Sequence, residues 1–457
     1  MAKIFPFNGI YYDKKRVGNL SKVMVPPYDI ISKEEQENFY NAHPYNCIRL
    51  TLGKEFPGDN DTNNKYARSN AFFNAWVKNG LLSQDEDASM YAYEQRFRYK
   101  GKKITRFGFI ALFKLEELEA GRIYPHENTL LKPKQDRLDL LKASAANYES
   151  IFSLYVDEEE RISRLIKKNI KRKPLVEVRD VLGIHNRLWK VPSKTVINKL
   201  MKEMANKQVY IADGHHRYEA SLRYRNEMRS HSQKSTGDEP YNYVMMYFAS
   251  IHDKGLAILP IHRLVHNLNL KEKINLENRI VDYFDIEEVR FSKRTEGPAR
   301  KKLLKLMSKA KDLPAGRQEG EHYFGMYIHG ENKYCFLKLK NEKLIEKYIS
   351  IDKPKEWKKL DVTILHSIVI KEILGISDRD IELENAVKYV HNDEEAFDTV
   401  KEGKYQLAFF LNPTKIEQVV AVADKYEKMP QKSTFFYPKL LSGLVMYKMP
   451  HPEKFSF

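Results

Sequence analysis

The stretch Gln208–Arg229, QVYIADGHHRYEASLRYRNEMR, decides how this chain reads. Gln208 to Ala212 is a short apolar run of strand character, and YEASLRYRNEMR continues as a helix. Between them stands Asp213-Gly214-His215-His216-Arg217. A glycine between strand and helix lets the backbone turn sharply. The amides that follow open a helix N-terminus, where the dipole favours an anion. Arg217 adds a planar, bidentate phosphate donor. Asp213 can take a proton or hold Mg2+. The pattern reads as a phosphate pocket with its own acid/base group, set against the plainer reading of a βα turn with surface histidines.

Other chemistries fit this turn poorly. Adjacent side chains such as His215 and His216 diverge, and no cysteine lies near them, which argues against zinc. Neither GxxxxGK[ST] nor GxGxxG occurs, so there is no P-loop and no dinucleotide fingerprint. The protein-kinase signature set is also missing. In 457 residues the only cysteines are Cys47 and Cys335, which excludes a disulfide framework and an all-cysteine zinc site.

With 78 Lys+Arg against 62 Asp+Glu, the net charge of +16 raises the question of a polyanionic partner. The basic runs at Arg161–Lys173 and Lys293–Lys311 carry apolar residues at helical spacing, so they read as amphipathic surface helices. Neither is interleaved with aromatics in the manner of a strand-binding groove, and nucleic acid is not expected. The chain opens MAKIFPFNGI, without the pattern of a secretory leader, and no apolar run approaches the roughly 18–20 residues that span a bilayer. A cytoplasmic protein without membrane contact is expected.

Outward from the turn, Ser32 with Glu35 three positions later forms a capping-box signature for a helix over KEEQENFY. NCIRLTLG reads as a strand, and MYAYEQRFRYKGKKITRFGFIALFKLEEL as two strands about Lys100-Gly101. PLVEVRDVLG and IHNRLWKV read as a hairpin turning at Gly183. A boundary is expected near residues 266–275, giving regions 1–268 and 269–457, the second with an internal break at DLPAGRQEGEH. The fold class is α+β in both.

Four further clusters carry chemistry. His126-Glu127-Asn128-Thr129 leads into Lys132, Lys134, Asp136 and Arg137, dense in charge-assisted donors. Pro26-Pro27-Tyr28-Asp29 precedes Glu34 and Glu35, acids placed for a base, a metal ligand or simply a favourable helix start. His262-Arg263 ends the apolar GLAILPI strand, and Lys432-Ser433-Thr434 precedes FFYPK.

Together VPPYDII, HENTLLKPKQDRLDLL, IADGHHRYEAS, GLAILPIHR, LDVTILH and MPQKSTFFYPKLLSGLV resemble one large bacterial and archaeal family, grouped among the numbered domains of unknown function. The resemblance runs from about Pro6 to Pro450. Gly214-x-x-Arg217-x-x-Ala220 also resembles the phosphate-binding box of the ParB/sulfiredoxin-like superfamily, whose free L-serine kinases carry an Asp-Gly-His version. The resemblance implies a ParB/sulfiredoxin-like mixed α/β N-terminal domain and a second α+β domain that completes or covers the site. It implies phosphoryl transfer from ATP or ADP, with Mg2+, to free L-serine. Asp213 would then be the acid near the metal or the hydroxyl, and Gly214, His215, His216 and Arg217 would hold nucleotide phosphates. An N-terminal glutamate, Glu34 or Glu35, would take part in catalysis, and His216 is a further catalytic candidate. Lys134, His262 and Arg263 join the nucleotide-binding candidates. The substrate candidates are His126, Glu127, Asp136, Arg137, Lys432, Ser433 and Thr434, with Arg137 for an amino-acid carboxylate and Asp136 for its amine. A ParB-like nucleotide-hydrolysing switch with a macromolecular partner is the alternative, and a non-catalytic anion-binding protein is a third reading.

Overall fold

The alternation in residues 90–114 closes as a hairpin. Met90–Tyr99 pairs antiparallel with Lys102–Lys114, and Lys100 (φ 49°) and Gly101 (φ 77°) supply the left-handed two-residue turn that suits twisted strands. The computed structural model describes residues 2–450 apart from 128, 130, 172, 232–235, 310–320, 351 and 383–384. Most of DLPAGRQEGEH, and Asn128, therefore lie outside the described residues.

The chain divides into two units: Met1–Ala257 with Pro438–Phe457, and Ile258–Tyr437. This differs from a single break near residue 268. The strand His262–Val265 belongs to the sheet of the second unit, and the last segment returns to the first, where Tyr447–Lys448 pairs with Ala146–Asn147.

In the first unit, nine strands among the described residues form a mixed sheet. Val209–Asp213 runs parallel to Ile123–Pro125 and antiparallel to Ile151–Tyr155, which lies parallel to Tyr243–Ser250. Lys102–Lys114, Met90–Tyr99, His185–Val191 and Val176–Arg179 follow, all antiparallel, and the ninth, Ile4–Phe5, pairs antiparallel with Lys102–Lys114. Val244, Met246 and Phe248 face one core with Ile162 and Ile166 of Arg161–Asn169 and Leu200 of Lys194–Ala205. The basic run at Arg161 is thus an amphipathic helix, as its spacing predicts.

Side chains alternate along a strand, and the opposite face holds Tyr247, which packs against Tyr93 and Phe152 with ring centroids 5.4 and 5.3 Å away. That face is buried and polar: Gln95, Arg106 and Asn186 are each at most 1% exposed. Buried polar groups need partners, and the segment Pro438–Ser442 supplies several. Arg106 donates to the Pro438 carbonyl, Gln95 donates to the Lys439 carbonyl at 3.0 Å, and Ser442 donates to Glu149 at 2.7 Å.

NCIRLTLG departs from its expected strand, since Ile48–Thr51 is a short helix. The Asn46 carboxamide accepts from the Ile48 amide at 2.9 Å, and the Arg49 guanidinium donates to the Tyr40 and His43 carbonyls. Such local side-chain bonds turn the backbone away from a ladder.

Among the described residues the second unit is built on six antiparallel strands, in the order Phe284–Arg290, Lys333–Leu339, Tyr323–Ile328, Leu407–Phe410, His262–Val265, Val387–Val390. One face packs Phe324, Leu337 and Phe409 against Ile368 and Val369. The other packs Tyr327, Ala408 and Phe410 against Leu303 and Phe397.

Candidate functional site

Asp213 ends the strand Val209–Asp213, and the register slips between Ile211 and Asp213, so that Asp213 stands opposite Phe152. Such an irregularity re-aims a side chain. Gly214 follows with φ 92°, and the helix His215–His231 starts at once. The strand, turn and helix match the sequence reading.

The carboxylate of Asp213 lies between two cations. Lys439 Nζ engages Oδ1, and Arg217 Nη2 donates to Oδ2 at 3.0 Å. Burial alone pushes this carboxyl up, but the charges of Lys439 and Arg217 outweigh it and hold the group down to about 2. Asp213 is therefore ionised, and its two neighbours are a ready cationic pair. Arg217 also donates to the Ser150 carbonyl at 2.8 Å and lies 3.7 Å from Glu149. Glu149 accepts in turn from Ser442 Oγ and, at 3.3 Å, from the Tyr28 amide.

The expected substrate pair is already satisfied. Asp136 takes Lys65 at 2.7 Å, the Tyr66 hydroxyl at 2.9 Å and both Arg137 Nε and Nη2. Burial raises its pKa, and Arg137 and Lys65 bring it down to about 2. Arg137 donates to the Thr51 carbonyl at 2.8 Å, and its guanidinium sits 3.7 Å from the Tyr28 ring centroid. Asp136 thus serves as an ion-pair hub and is a poor acceptor for an incoming amine. Arg137, Glu149 and Arg217 line a cavity of about 50 Å3 whose remaining walls are mainly apolar, from Leu140 to Val244.

Lys134 lies 2.9 Å from Glu219, which also accepts from Thr129 Oγ1 at 2.7 Å, so this lysine is tied into an ion pair instead of presented to phosphate. His126 is fully buried, which holds its imidazole down to about 4 and hence neutral. Its Nδ1 bonds the Ile211 carbonyl at 2.6 Å, and its amide donates to His215 Nε2 at 3.3 Å. His215 and His216 are the first two residues of the helix, and Glu127 is half-buried beside His126.

Glu34 and Glu35 are exposed in the first turn of Lys33–Ala42. The Glu35 carboxylate accepts from the Ser32 amide at 2.8 Å while Ser32 Oγ accepts from the Glu35 amide at 3.2 Å. Glu35 caps the helix. Glu35→Ala should cost about 1 kcal/mol of stability and leave any turnover unchanged, as chemical denaturation and a product assay on one preparation would show. The N-terminal residues that do reach this neighbourhood are Tyr28 and Asp29, both of which act electrostatically on Arg217.

His262, Arg263, Lys432, Ser433 and Thr434 belong to the second unit. His262 Nε2 pairs with Asp393 at 2.8 Å, and its Nδ1 accepts from the Leu411 amide at 3.2 Å. Arg263 donates to the Lys432 carbonyl at 3.0 Å, and the Ser433 carbonyl accepts from Thr414.

Lys439 and Glu149, the charged groups that meet Asp213 and Arg217, are the candidates that sequence reasoning missed. Lys439 stands inside the MPQKSTFFYPKLLSGLV motif, where attention goes to the Lys432–Thr434 loop instead. Among the described residues no group of three or more His, Cys, Asp or Glu side chains could hold a metal, and both Asp213 oxygens meet cations. Asp213 as a magnesium ligand does not fit this arrangement. No helix among the described residues is long and apolar enough to cross a membrane.

A family model described as "Protein of unknown function (DUF1015)" matches residues 4–363. No curated protein matches the chain. Among solved structures, a mutant free serine kinase in complex with ADP is 11% identical, with a TM-score of 0.33 over 69% of this chain and 84% of that one. A conserved hypothetical protein from Pyrococcus furiosus is 12% identical, with a TM-score of 0.32 over 70% and 89%. SbnI with a C-terminal truncation, from Staphylococcus aureus, is 12% identical, with a TM-score of 0.28 over 72% and 85%. Likenesses this distant carry no argument about chemistry.

Proposed function

The chain belongs to the DUF1015 family of unknown function, and from its Asp213 site we propose that it is a nucleotide-dependent kinase acting on a small-molecule hydroxyl, that of free L-serine. The observation that carries this reading is the ionised Asp213 carboxylate between Lys439 and Arg217, at a glycine turn that opens a seventeen-residue helix. The Asp-Gly-His resemblance of that turn to the free serine kinases supports it.

Phosphoryl transfer asks the protein for position and for cations that spread the charge on the transferring group. Lys439, Arg217 and the amides after Gly214 are such groups. A phosphate arriving at the turn competes with Asp213 for both cations. As they leave it, Asp213 becomes a stronger base, because their charge is what holds its pKa down. It then accepts the proton of the acceptor hydroxyl as the new P–O bond forms, and the nucleotide departs one phosphate shorter. Magnesium would come with the nucleotide's own phosphates.

The test is to incubate the purified chain with serine, Mg2+ and either ATP or ADP and to assay phosphoserine. Product formation is expected, with loss in Lys439→Met. No product with either nucleotide across a small panel of hydroxyl amino acids sinks the reading.

A further inference from the structure

Arg263, in the strand His262–Val265, is 1% exposed. Its Nε donates to His366 Nε2 at 3.1 Å, one Nη to the Ile261 carbonyl and the other to the Lys432 carbonyl at 3.0 Å. The Tyr389 ring lies 5.1 Å away. Every one of these partners is neutral, because burial and the charge of Arg263 hold His366 well below its ordinary pKa. A buried cation without a counter-ion is costly. Two other buried arginines have one, Arg137 with Asp136 and Arg300 with Glu296, while Arg106 is held, like Arg263, by neutral acceptors, Gln95 and the Pro438 carbonyl.

The surroundings of Arg263 point to what such a counter-ion is. A guanidinium carries five N–H groups, and three bonds to Arg263 are accounted for above. Arg263 lines a small chamber of about 10 Å3 together with Asn412, Thr414, Gln418, Ser433 and Asp361. That volume admits one water-sized group, so a single oxygen of a larger anion. Asp361 is the one acid in the wall, and it is paired with His322 at 2.7 Å. The chamber opens beside the N-terminus of the helix Ile416–Ala423, where Gln418 accepts from the Lys415 amide through its carboxamide oxygen, leaving the NH2 to donate. Two departures from regular backbone meet at the same guanidinium. Lys432 holds φ 56°, and His366 lies in Leu365–Ile373, a nine-residue π-helix, a rare geometry often found at functional sites.

We propose that Arg263 is the base of an oxyanion site in the 258–437 unit that takes a phosphate group, with the Asn412 and Gln418 carboxamides as neutral donors; the Thr414 and Ser433 hydroxyls in the same wall donate to the Ser433 and Pro430 carbonyls. A phosphate group suits the N–H donors of Arg263, Asn412 and Gln418 better than a carboxylate, since its terminal oxygens offer more acceptors. The site stands independently of the kinase reading.

Crystals of the full chain soaked in tungstate, a heavy phosphate analogue, test it directly. An anomalous peak within hydrogen-bonding distance of the Arg263 guanidinium is expected. Peaks only at Gly214, or none, overturn it whatever the outcome of the serine assay. In solution, titration calorimetry with inorganic phosphate, AMP and phosphoserine separates a free ion from an ester. Arg263→Met should weaken the phosphate-group ligand at least about tenfold and, without ligand, raise the melting temperature, because a well-packed apolar isostere removes the stranded charge. Arg263→Lys keeps the charge without the fork and should bind weakly; affinity equal to that of the unsubstituted chain in either variant overturns the site.

Discussion

Asp213→Asn is expected to destabilise the protein by about 3–5 kcal/mol, the cost of breaking a buried ion pair from one side, and to abolish the proposed phosphoryl transfer. The amide keeps the shape of the carboxylate but not its charge. Lys439 and Arg217 are then left facing each other, with Glu149 3.7 Å from Arg217. Removing one cation as well should return part of the loss, so Asp213→Asn with Lys439→Met should be more stable than Asp213→Asn alone; a double-mutant cycle by urea denaturation measures the coupling. The same charge sets an acid limit. The carboxyl of Asp213 is depressed from 3.8 to about 2, so its contribution is fully present above the ordinary value and is lost as pH falls through the depressed one. The loss is on the order of 2 kcal/mol. Melting curves between pH 5 and 2 should therefore fall more steeply for the unsubstituted chain than for Asp213→Asn. Parallel curves would show that the pair contributes nothing.

Gly214→Ala is expected to cost about 2 kcal/mol of stability and to remove the proposed activity with it. Part of that cost is conformational, since left-handed backbone is unfavourable by roughly 1–2 kcal/mol for a residue with a Cβ, and Gly214 sits at φ 92°. The rest comes from Arg217. A Cβ at position 214 would lie 2.9 Å from Arg217 Nε and Nη2. The guanidinium can swing aside, but only by leaving Asp213 and the Ser150 carbonyl. Gly183→Ala is the control: φ is 77° at that hairpin turn and nothing stands within 4 Å of the added carbon, so only the conformational part applies. Equal losses at the two positions, with turnover retained in Gly214→Ala, would remove the packed turn from the site.

The features legible along the chain are those whose causes lie within a few residues. Ser32 and Glu35 announce a capping box because both bonds close within four positions. Lys100-Gly101 and Gly183 announce hairpins because left-handed backbone is a local demand. The Asp213–Arg217 turn is legible for the same reason, and Asp213 does meet Arg217 one helical turn later. The same local reasoning misjudges Ile48–Thr51, where side chains of Asn46 and Arg49 decide against a strand.

What lies outside that range is settled by the fold. Lys439 reaches Asp213 across 226 residues, because Pro438–Ser442 is drawn over a buried polar sheet face where Gln95 and Arg106 need acceptors. Lys134 and Asp136 look like open donors and acceptors in sequence, yet Glu219, Lys65 and Tyr66 meet them only after helices have packed. The amino-acid order by itself determined the strand, the glycine turn and the helix that hold Asp213. Tertiary structure alone decided which cations stand beside it, since local backbone preference acts through neighbours in sequence and charge pairing acts through neighbours in space.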